Sequence, residues 1–98
     1  MLIKIHKSYR NVVAVCDSDL IGKCFEQGNK ILDVRESFYK GEEIEEKDLL
    51  ELMKDMAKED AIFSIAGKKA CEIALKAGII SKEGIKEVSN VPFALLLM

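Results

Sequence analysis

A thiol and two carboxylates follow one another within four residues near the start of the chain. Cys16, Asp17 and Asp19 stand at the end of the apolar run VVAVC, which occupies residues 12–16. Two carboxylates that converge on a substrate can act as general acid and general base. The same residues also fit the start of a helix, because an N-cap aspartate or serine accepts hydrogen bonds from unpaired amides of the first turn. Helix initiation alone explains these aspartates, and a chemical role stays open.

The cysteines and the histidine form no recognisable reactive or metal-binding set. Carboxylates beside Cys16 raise the pKa of a thiol, and no histidine lies near it in sequence, so we expect a core thiol and not a nucleophile. Cys24 and Cys71 match no zinc or redox spacing, which predicts reduced, buried thiols. His6 is the single histidine, and its place on the polar face of a predicted strand is typical of a surface side chain. Glycine-rich phosphate-binding patterns are missing from the sequence, and we predict no metal and no cofactor.

The loop ESFYKGEE, residues 36–43, contains two adjacent aromatic residues and a glycine. In an extended backbone Phe38 and Tyr39 point to opposite sides, so only one of them is easily buried. In one interpretation Tyr39 is an exposed binding platform beside Gly41 and Glu42. In the other, Phe38 plugs the sheet edge and Tyr39 merely covers the loop. The candidate binding residues are Cys16, Asp17, Asp19, Gly22, Phe38, Tyr39, Gly41 and Glu42.

Strands must hold these candidate residues in place. LIKIH alternates as a strand with one wet face does, whereas five consecutive apolar residues at 12–16 need cover on both faces and predict a central strand. The polar residues between the two runs indicate an antiparallel hairpin. KILDVRE, residues 30–36, predicts a third strand, and AIFSIAG, residues 61–67, predicts a fourth. A short final strand is expected at residues 85–88.

Three helices are expected between these strands. A stripe of four apolar residues that follows Asp17 and Ser18 predicts a first helix, which ends at Gly28. A second helix is predicted over residues 45–58, where carboxylates crowd the first turn and lysines the last. The segment KKACEIALKAG predicts a third helix, which ends at Gly78.

This order of elements predicts an α+β fold in a single globular domain that spans residues 1–98. We expect a mixed sheet of four or five strands that starts with an antiparallel hairpin and has three helices packed on it. Pro92 lacks a backbone N–H and is predicted to exclude the tail from a central ladder position on that side. The tail ALLLM is too apolar for water, so it either packs in the core or forms a homodimer through an edge strand.

Composition limits the classes of function. With a net charge of −2, 33% charged residues and 49% hydrophobic residues, the chain is predicted to be globular, neither disordered nor membrane-spanning. The N-terminus lacks the features of a signal peptide, which predicts a cytoplasmic protein. The acidic balance argues against a strong autonomous nucleic-acid binder. Lys4, Lys7 and Arg10 are the candidates for a local basic patch, and a solvated surface is the simpler interpretation of them.

Four stretches of the chain resemble a known family. VAVCDSDLIGKCFEQG, VRESFYKGE, IAGKKACEIALKAGII and VPFA, from about Val12 to Ala94, are similar in order and spacing to the archaeal family called domain of unknown function 424. The resemblance implies a small, single-domain, archaeal, cytoplasmic protein without an established activity and with a loose association to translation-related genes. Where the family pattern has a histidine after Val-Pro, this chain has Phe93, which disfavours an enzyme. The family's characteristic residues fall on Cys16, Asp17, Leu20, Gly22, Phe38, Tyr39, Gly41, Glu42, Gly67, Gly78 and Pro92.

Three hypotheses of function follow. The leading one is a non-catalytic binding module with a protein or ribonucleoprotein partner, which acts through the loop from Phe38 to Glu42 and residues near Asp17. The second is a small-molecule enzyme with Asp17, Asp19 and Glu42 as acid–base groups. The third is a homo-oligomeric assembly protein that associates through its C-terminal tail. No membrane partner is expected.

Overall fold

The computed structural model describes residues 1–96, which form strands, helices and two short 3-10 turns at Ser18–Leu20 and Lys82–Gly84. The α+β class predicted from the sequence is confirmed. In chain order the strands and α-helices are β1 (Leu2–His6), β2 (Val12–Cys16), β3 (Cys24–Gln27), β4 (Lys30–Asp33), α1 (Glu36–Tyr39), β5 (Glu42–Glu43), α2 (Glu46–Lys58), β6 (Ile62–Ala66), α3 (Lys68–Ala77), β7 (Lys86–Val88) and β8 (Val91–Leu96).

The main sheet has six strands in the order β5-β1-β2-β6-β8-β7, where four or five were expected. It is mixed, because β2 and β6 run parallel while the other neighbouring strands are antiparallel. The additional strands are the two-residue β5 and the tail strand β8. A parallel pair requires a long crossover between its strands, and here the crossover contains everything from residue 17 to residue 61.

The first two strands form the predicted antiparallel hairpin, in which Leu2 pairs with Cys16 and His6 pairs with Val12. The second of them, β2, lies between β1 and β6. Its residues from Val13 to Cys16 are completely buried. A run of apolar side chains cannot be hidden on one face of a strand, so the central position of β2 follows from the sequence.

The larger hydrophobic core lies on the sheet face that α2 and α3 cover. Helix α2 buries Leu49, Met53 and Met56, and α3 buries Ala70 and Ile73 among other small and apolar residues. Both helices were predicted from the sequence, and their observed ends lie within one residue of the predicted ones. Within residues 1–96, none of the helices combines the length and the apolar character needed to cross a membrane.

The opposite sheet face is covered by α1 and by a separate two-stranded sheet, β3 and β4, and not by the helix expected before Gly28. Gly28 and Asn29 form a two-residue turn between paired Gln27 and Lys30. Gly28 has φ +61°, a conformation that favours glycine and suits a tight hairpin turn. Three residues of the stripe that predicted a helix, Leu20, Ile21 and Phe25, pack instead on the apolar cluster of this face, which we call the second core and which includes Leu32 of β4. The fourth, Cys24, is exposed.

The prediction that Pro92 excludes the tail from a central ladder position on its N–H side is wrong, because β8 lies between β6 and β7 and pairs with β6 on that side. The Pro92 carbonyl accepts a hydrogen bond from the Gly67 amide at 2.8 Å. The nitrogen and oxygen of one strand residue point to the same side, so the Pro92 nitrogen also faces Gly67. The carbonyl of Gly67 already accepts from the Cys71 amide in α3 at 3.0 Å. The Gly67 carbonyl therefore does not need a proline N–H as its donor, and a proline is tolerated at this position of the strand.

Part of the apolar tail is built into the sheet. Ala94 is buried and pairs with Ile65 of β6, while Leu95 is 63% exposed. Leu97 and Met98 lie outside the described residues. Association of two copies through the tail stays a prediction.

The glycine that precedes α3 lies against the aspartate that follows β2. Gly67 has φ +112°, and a Cβ atom built on it would lie 2.4 Å from Cγ of Asp17. Gly78, at the other end of α3, has φ +75° and open space around its missing Cβ. The positive φ angle favours glycine at both positions. At Gly67 a side chain would in addition collide with Asp17.

Replacing these two glycines by alanine separates backbone strain from the contact with Asp17. We expect Gly78→Ala to lower the free energy of unfolding by about 1–2 kcal/mol, the cost of a left-handed backbone at a residue with a side chain. Gly67→Ala should cost about 3 kcal/mol or more, since the new methyl group also displaces a buried carboxylate. Urea denaturation of both variants measures the difference. Equal losses would contradict a constraint at the Asp17–Gly67 contact.

Candidate functional site

Asp17 caps a helix, but not the helix that follows it in sequence. Its Oδ1 accepts from the Ala70 amide at 2.9 Å and its Oδ2 from the Lys69 amide at 3.1 Å, both in the first turn of α3. The backbone amide of Asp17 donates to the Ala66 carbonyl at 3.0 Å. The prediction that Asp17 or Ser18 caps a helix that follows it directly is wrong, because the Asp17 side chain makes no cap hydrogen bond to the 3-10 turn at Ser18–Leu20. It accepts instead from amides that include that of Lys69, 52 positions away.

The three carboxylates predicted for an acid–base site do not converge. Asp17 and Asp19 line an open cavity of about 360 Å³ with Lys68 and Lys69. Glu42 lines a different cavity, of about 280 Å³, beside β1. It pairs with Ile3 at the far edge of the sheet, two strand spacings or about 10 Å from β2. In addition, both oxygens of Asp17 are occupied by the cap.

Cys16 is a core thiol, as the sequence predicts. It is completely buried, and burial together with the neighbouring Asp17 carboxylate raises its pKa to about 11. Burial raises the pKa of Cys71 in α3 to about 12. A thiol that stays protonated at neutral pH is a poor nucleophile and a poor metal ligand. Among residues 1–96, no group of three His, Cys, Asp or Glu side chains is arranged to hold a metal ion.

Both glycines among the candidate residues have structural reasons. Gly22 has φ +81°, and its amide donates to the Val34 carbonyl at 2.7 Å, which extends the β3–β4 sheet. At Gly41 a Cβ atom would lie only 2.1 Å from the carbonyl oxygen of Ile3. Glycine therefore lets β5 reach β1.

The aromatic pair of the predicted loop is arranged differently from either interpretation of the sequence. Residues 36–39 form the single helical turn α1, which places Tyr39 in the second core with 5% of its surface exposed. The Tyr39 hydroxyl lies 2.8 Å from the Ser64 hydroxyl of β6, and burial raises the pKa of Tyr39. Tyr39 is thus not a binding platform, and the more accessible ring is that of Phe38.

Phe38 stacks on His6, which holds the outer end of α1 to β1. The two ring centroids are 4.6 Å apart and the ring planes differ by 17°. The His6 ring donates from Nε2 to the Phe38 carbonyl at 2.8 Å, because a carbonyl can only accept. Lys4, two residues earlier on the same face of β1, donates from Nζ to the Ser37 carbonyl at 2.9 Å. His6 is therefore a half-buried positioning residue, and not the free surface histidine that was expected.

The loop between β1 and β2 continues this surface and ends in an unpacked aromatic ring. Tyr9 is 104% exposed, as much as in an isolated residue. It stands between Lys7 and Arg10, and the Ser8 hydroxyl donates to the Arg10 carbonyl across the turn. The Arg10 Nε–H donates to the carbonyl of residue 60 at 3.2 Å. We call the following set the basic–aromatic surface: Lys4, His6, Lys7, Tyr9, Arg10 and Phe38.

Charge is distributed unevenly between this surface and the rest of the molecule. Residues 1–16 contain three basic residues and no carboxylate, whereas residues 42–60 contain nine carboxylates and three lysines, a net charge of −6. Since the whole chain carries −2, the residues outside 42–60 carry +4. The helix α2 of this acidic segment covers the other face of the sheet from α1. The two ends of the segment lie beside the basic–aromatic surface, since Glu42 lines a cavity with Lys4 and the Asp60 carbonyl accepts from Arg10.

Comparison with protein families gives a match over nearly the whole chain. The family model described as "Protein of unknown function (DUF424)" matches residues 6–98. The chain belongs to this family. The resemblance noted in the sequence is thereby confirmed, and with it the absence of an assigned family function.

A solved structure shows that this fold occurs elsewhere. It is described as the crystal structure of an uncharacterized conserved protein from Methanopyrus kandleri, with 26% sequence identity and a TM-score of 0.85. The similarity covers 97% of this chain and 88% of that one. A search of curated proteins finds no match. Phe93 is half-buried against the second core.

Sequence reasoning missed the role of His6 and Tyr9 in this DUF424 chain. His6 was interpreted alone, because its partner Phe38 lies 32 residues away in sequence. A local signal was available for Tyr9, since it stands between two basic residues in a segment without a carboxylate. Of the predicted candidates, the structure brings Cys16 and Tyr39 together in the second core, and Phe38 packs against that core while it stacks on His6. Gly41 and Glu42 line a cavity with Lys4 of the basic–aromatic surface.

Asp17 and Asp19 form a matched pair for testing the cap. Asp17→Ala removes both acceptors from α3 and should lower the free energy of unfolding by about 1–2 kcal/mol. Asp17→Asn keeps one oxygen acceptor and should lose less. Asp19 is exposed, so Asp19→Ala, which removes the same charge, should stay within about 0.5 kcal/mol of the original chain. Chemical denaturation ranks the variants; equal effects at both positions would show that the cap contributes nothing.

The three thiols should differ sharply in reactivity. The prediction of a buried thiol is wrong for Cys24, which is exposed, whereas Cys16 and Cys71 are buried. An aromatic disulfide reagent at pH 8 should therefore modify one thiol rapidly, and Cys24→Ser should abolish that phase. The two buried thiols stay protonated in the folded chain, with pKa raised from 9.0 to about 11 and about 12. The unfolded chain ionises first, so their contribution to stability is complete below pH 9 and is lost as the pH rises toward 11. Cys16→Ala should flatten that alkaline decline, and an unchanged decline would contradict the assignment.

Proposed function

We propose that this protein is a non-catalytic RNA-binding module and that the basic–aromatic surface is its contact area. The observation that carries the proposal is the fully exposed Tyr9 between Lys7 and Arg10. Basic side chains attract phosphates, and aromatic side chains stack with unpaired bases. A ribonucleoprotein, which is one of the partners predicted from the sequence, would present both phosphates and unpaired bases.

The local charge supports an anionic partner although the whole chain is slightly acidic. Net charge describes long-range repulsion, whereas binding depends on the potential at the contact area. The contact area proposed here draws three cations from a segment without a carboxylate. The acidic helix α2 packs on the other face of the sheet from α1.

The state of the candidate catalytic groups supports a non-catalytic role. Both carboxylate oxygens of Asp17 accept hydrogen bonds from α3. Burial keeps the Cys16 thiol protonated at neutral pH, because its pKa is raised to about 11. Asp19 and Glu42 line separate cavities. Glu42 is therefore not placed to share a substrate with Asp17 and Asp19.

Binding through this surface should be weak and sensitive to salt. If Lys4, Lys7 and Arg10 each neutralise one phosphate, the logarithm of the affinity should fall with the logarithm of the salt concentration with a slope of about −2. Fluorescence anisotropy with a labelled short RNA at several salt concentrations measures this slope. The double variant Lys7→Glu/Arg10→Glu should bind at least about tenfold more weakly, with a shallower slope.

A matched double variant controls for total charge. Lys54→Glu/Lys58→Glu changes the net charge by the same amount but lies in the acidic helix α2. It should bind RNA like the original chain, and circular dichroism should show that both double variants are folded. Equal loss in the two variants would assign the effect to total charge and would refute the proposed contact area. Absence of RNA binding by the original chain at low salt would refute the proposed function.

A further inference from the structure

We infer that the basic–aromatic surface selects single-stranded RNA and that Tyr9 is the platform on which a base stacks. This inference rests on the proposed function and adds the form of RNA that is bound and the residue that recognises it. It follows from the full exposure of Tyr9 and from the contacts that hold its neighbours His6 and Arg10.

Tyr9 has no packing role that would explain its ring. At 104% exposure it buries none of its surface, whereas the other tyrosine, Tyr39, is 5% exposed and bonded to Ser64. An aromatic ring left fully in water has both faces free to meet a flat partner. A tyrosine loses the freedom of only two side-chain torsions when it is ordered, so the entropic cost of binding is small.

The backbone that carries Tyr9 is held on both sides. Three residues before it, His6 is fixed by its stack on Phe38 and its hydrogen bond to the Phe38 carbonyl. One residue after it, Arg10 is bonded to the carbonyl of residue 60 and accepts from Ser8. The Cα atoms of His6 and Tyr9 can be at most about 10 Å apart. The exposed ring therefore stays close to the cations that would hold a phosphate backbone.

Base stacking discriminates between single strands and duplexes. In a duplex, the faces of the bases are covered by their neighbours, and only phosphates and groove edges are accessible. The cations of the surface can bind both forms, but Tyr9 gains a partner only when bases are unpaired. Stacking of this kind tolerates any sequence, because every base has an aromatic face.

The charge around Tyr9 favours RNA over a protein partner. An exposed tyrosine can also anchor a protein–protein contact. A protein partner would need an acidic segment to match Lys7 and Arg10. In that case Tyr9 would contribute nothing to a difference in affinity between single-stranded and duplex RNA. The two partners therefore give different results in one experiment.

Affinity for a short oligouridylate and for an RNA duplex of equal length tests the inference. The original chain should bind the single strand more tightly, and Tyr9→Ala and Tyr9→Leu should each lose about 5- to 100-fold for the single strand only. Tyr9→Phe keeps the ring and should bind like the original chain. Because Tyr9 makes no packing contact, none of these substitutions should affect folding. The chain has no tryptophan and two tyrosines, so stacking should also quench the tyrosine fluorescence, and this quenching should be lost in Tyr9→Leu.

The possible failures are distinguishable. Equal affinity for both forms of RNA, or a Tyr9→Leu variant that binds like Tyr9→Phe, would overturn the inference and leave RNA binding through the cations in place. No binding to either form would overturn the inference together with the proposed function. A protein that depends on Tyr9 for binding while RNA does not would overturn the inference in favour of a protein contact.

Discussion

The contact between Asp17 and the first turn of α3 is the constraint on which the architecture depends. It joins the end of one parallel strand to the helix that follows the other, and it occupies two amides that would otherwise lack partners. The contact needs a glycine at position 67, since a side chain there would overlap the carboxylate. The amide of the same glycine donates to the Pro92 carbonyl, and its carbonyl accepts from the Cys71 amide of α3. Through these bonds β2, β6, β8 and α3 are fixed to one another at one corner.

This corner and the basic–aromatic surface lie at opposite ends of the same sheet. Cys16 ends β2 at the corner, and Val12 begins β2 beside His6, about 13 Å away along the strand. At the corner, the Asp17 carboxylate is occupied by hydrogen bonds that hold the fold together. At the other end, Tyr9 buries none of its surface, and a residue without a packing role is free to serve binding. The separation explains why the motif that draws most notice in the sequence is not the surface proposed for function.

Elements with a strong local pattern could be predicted, and those decided by competing patterns could not. The buried run at 12–16 and the amphipathic helices α2 and α3 have one arrangement that hides their apolar side chains. The stripe after Asp17 has two: it suits a helix, but it also suits a hairpin whose turn is formed by Gly28 and Asn29. Phe38 and Tyr39 pose the same problem, since an extended loop and a helical turn bury different rings. In both cases the second core, assembled from distant segments, decides the outcome.

The sequence by itself determined the α+β class, the central place of β2, the long helices and the family. These properties depend on periodicity and on caps within a few residues, which the order of amino acids records directly. Only the tertiary structure decided which helix Asp17 caps, that Tyr39 is buried, and that His6 meets Phe38. Each of those contacts joins residues at least 25 positions apart, and no local pattern specifies which of several compatible partners the closed chain brings within reach.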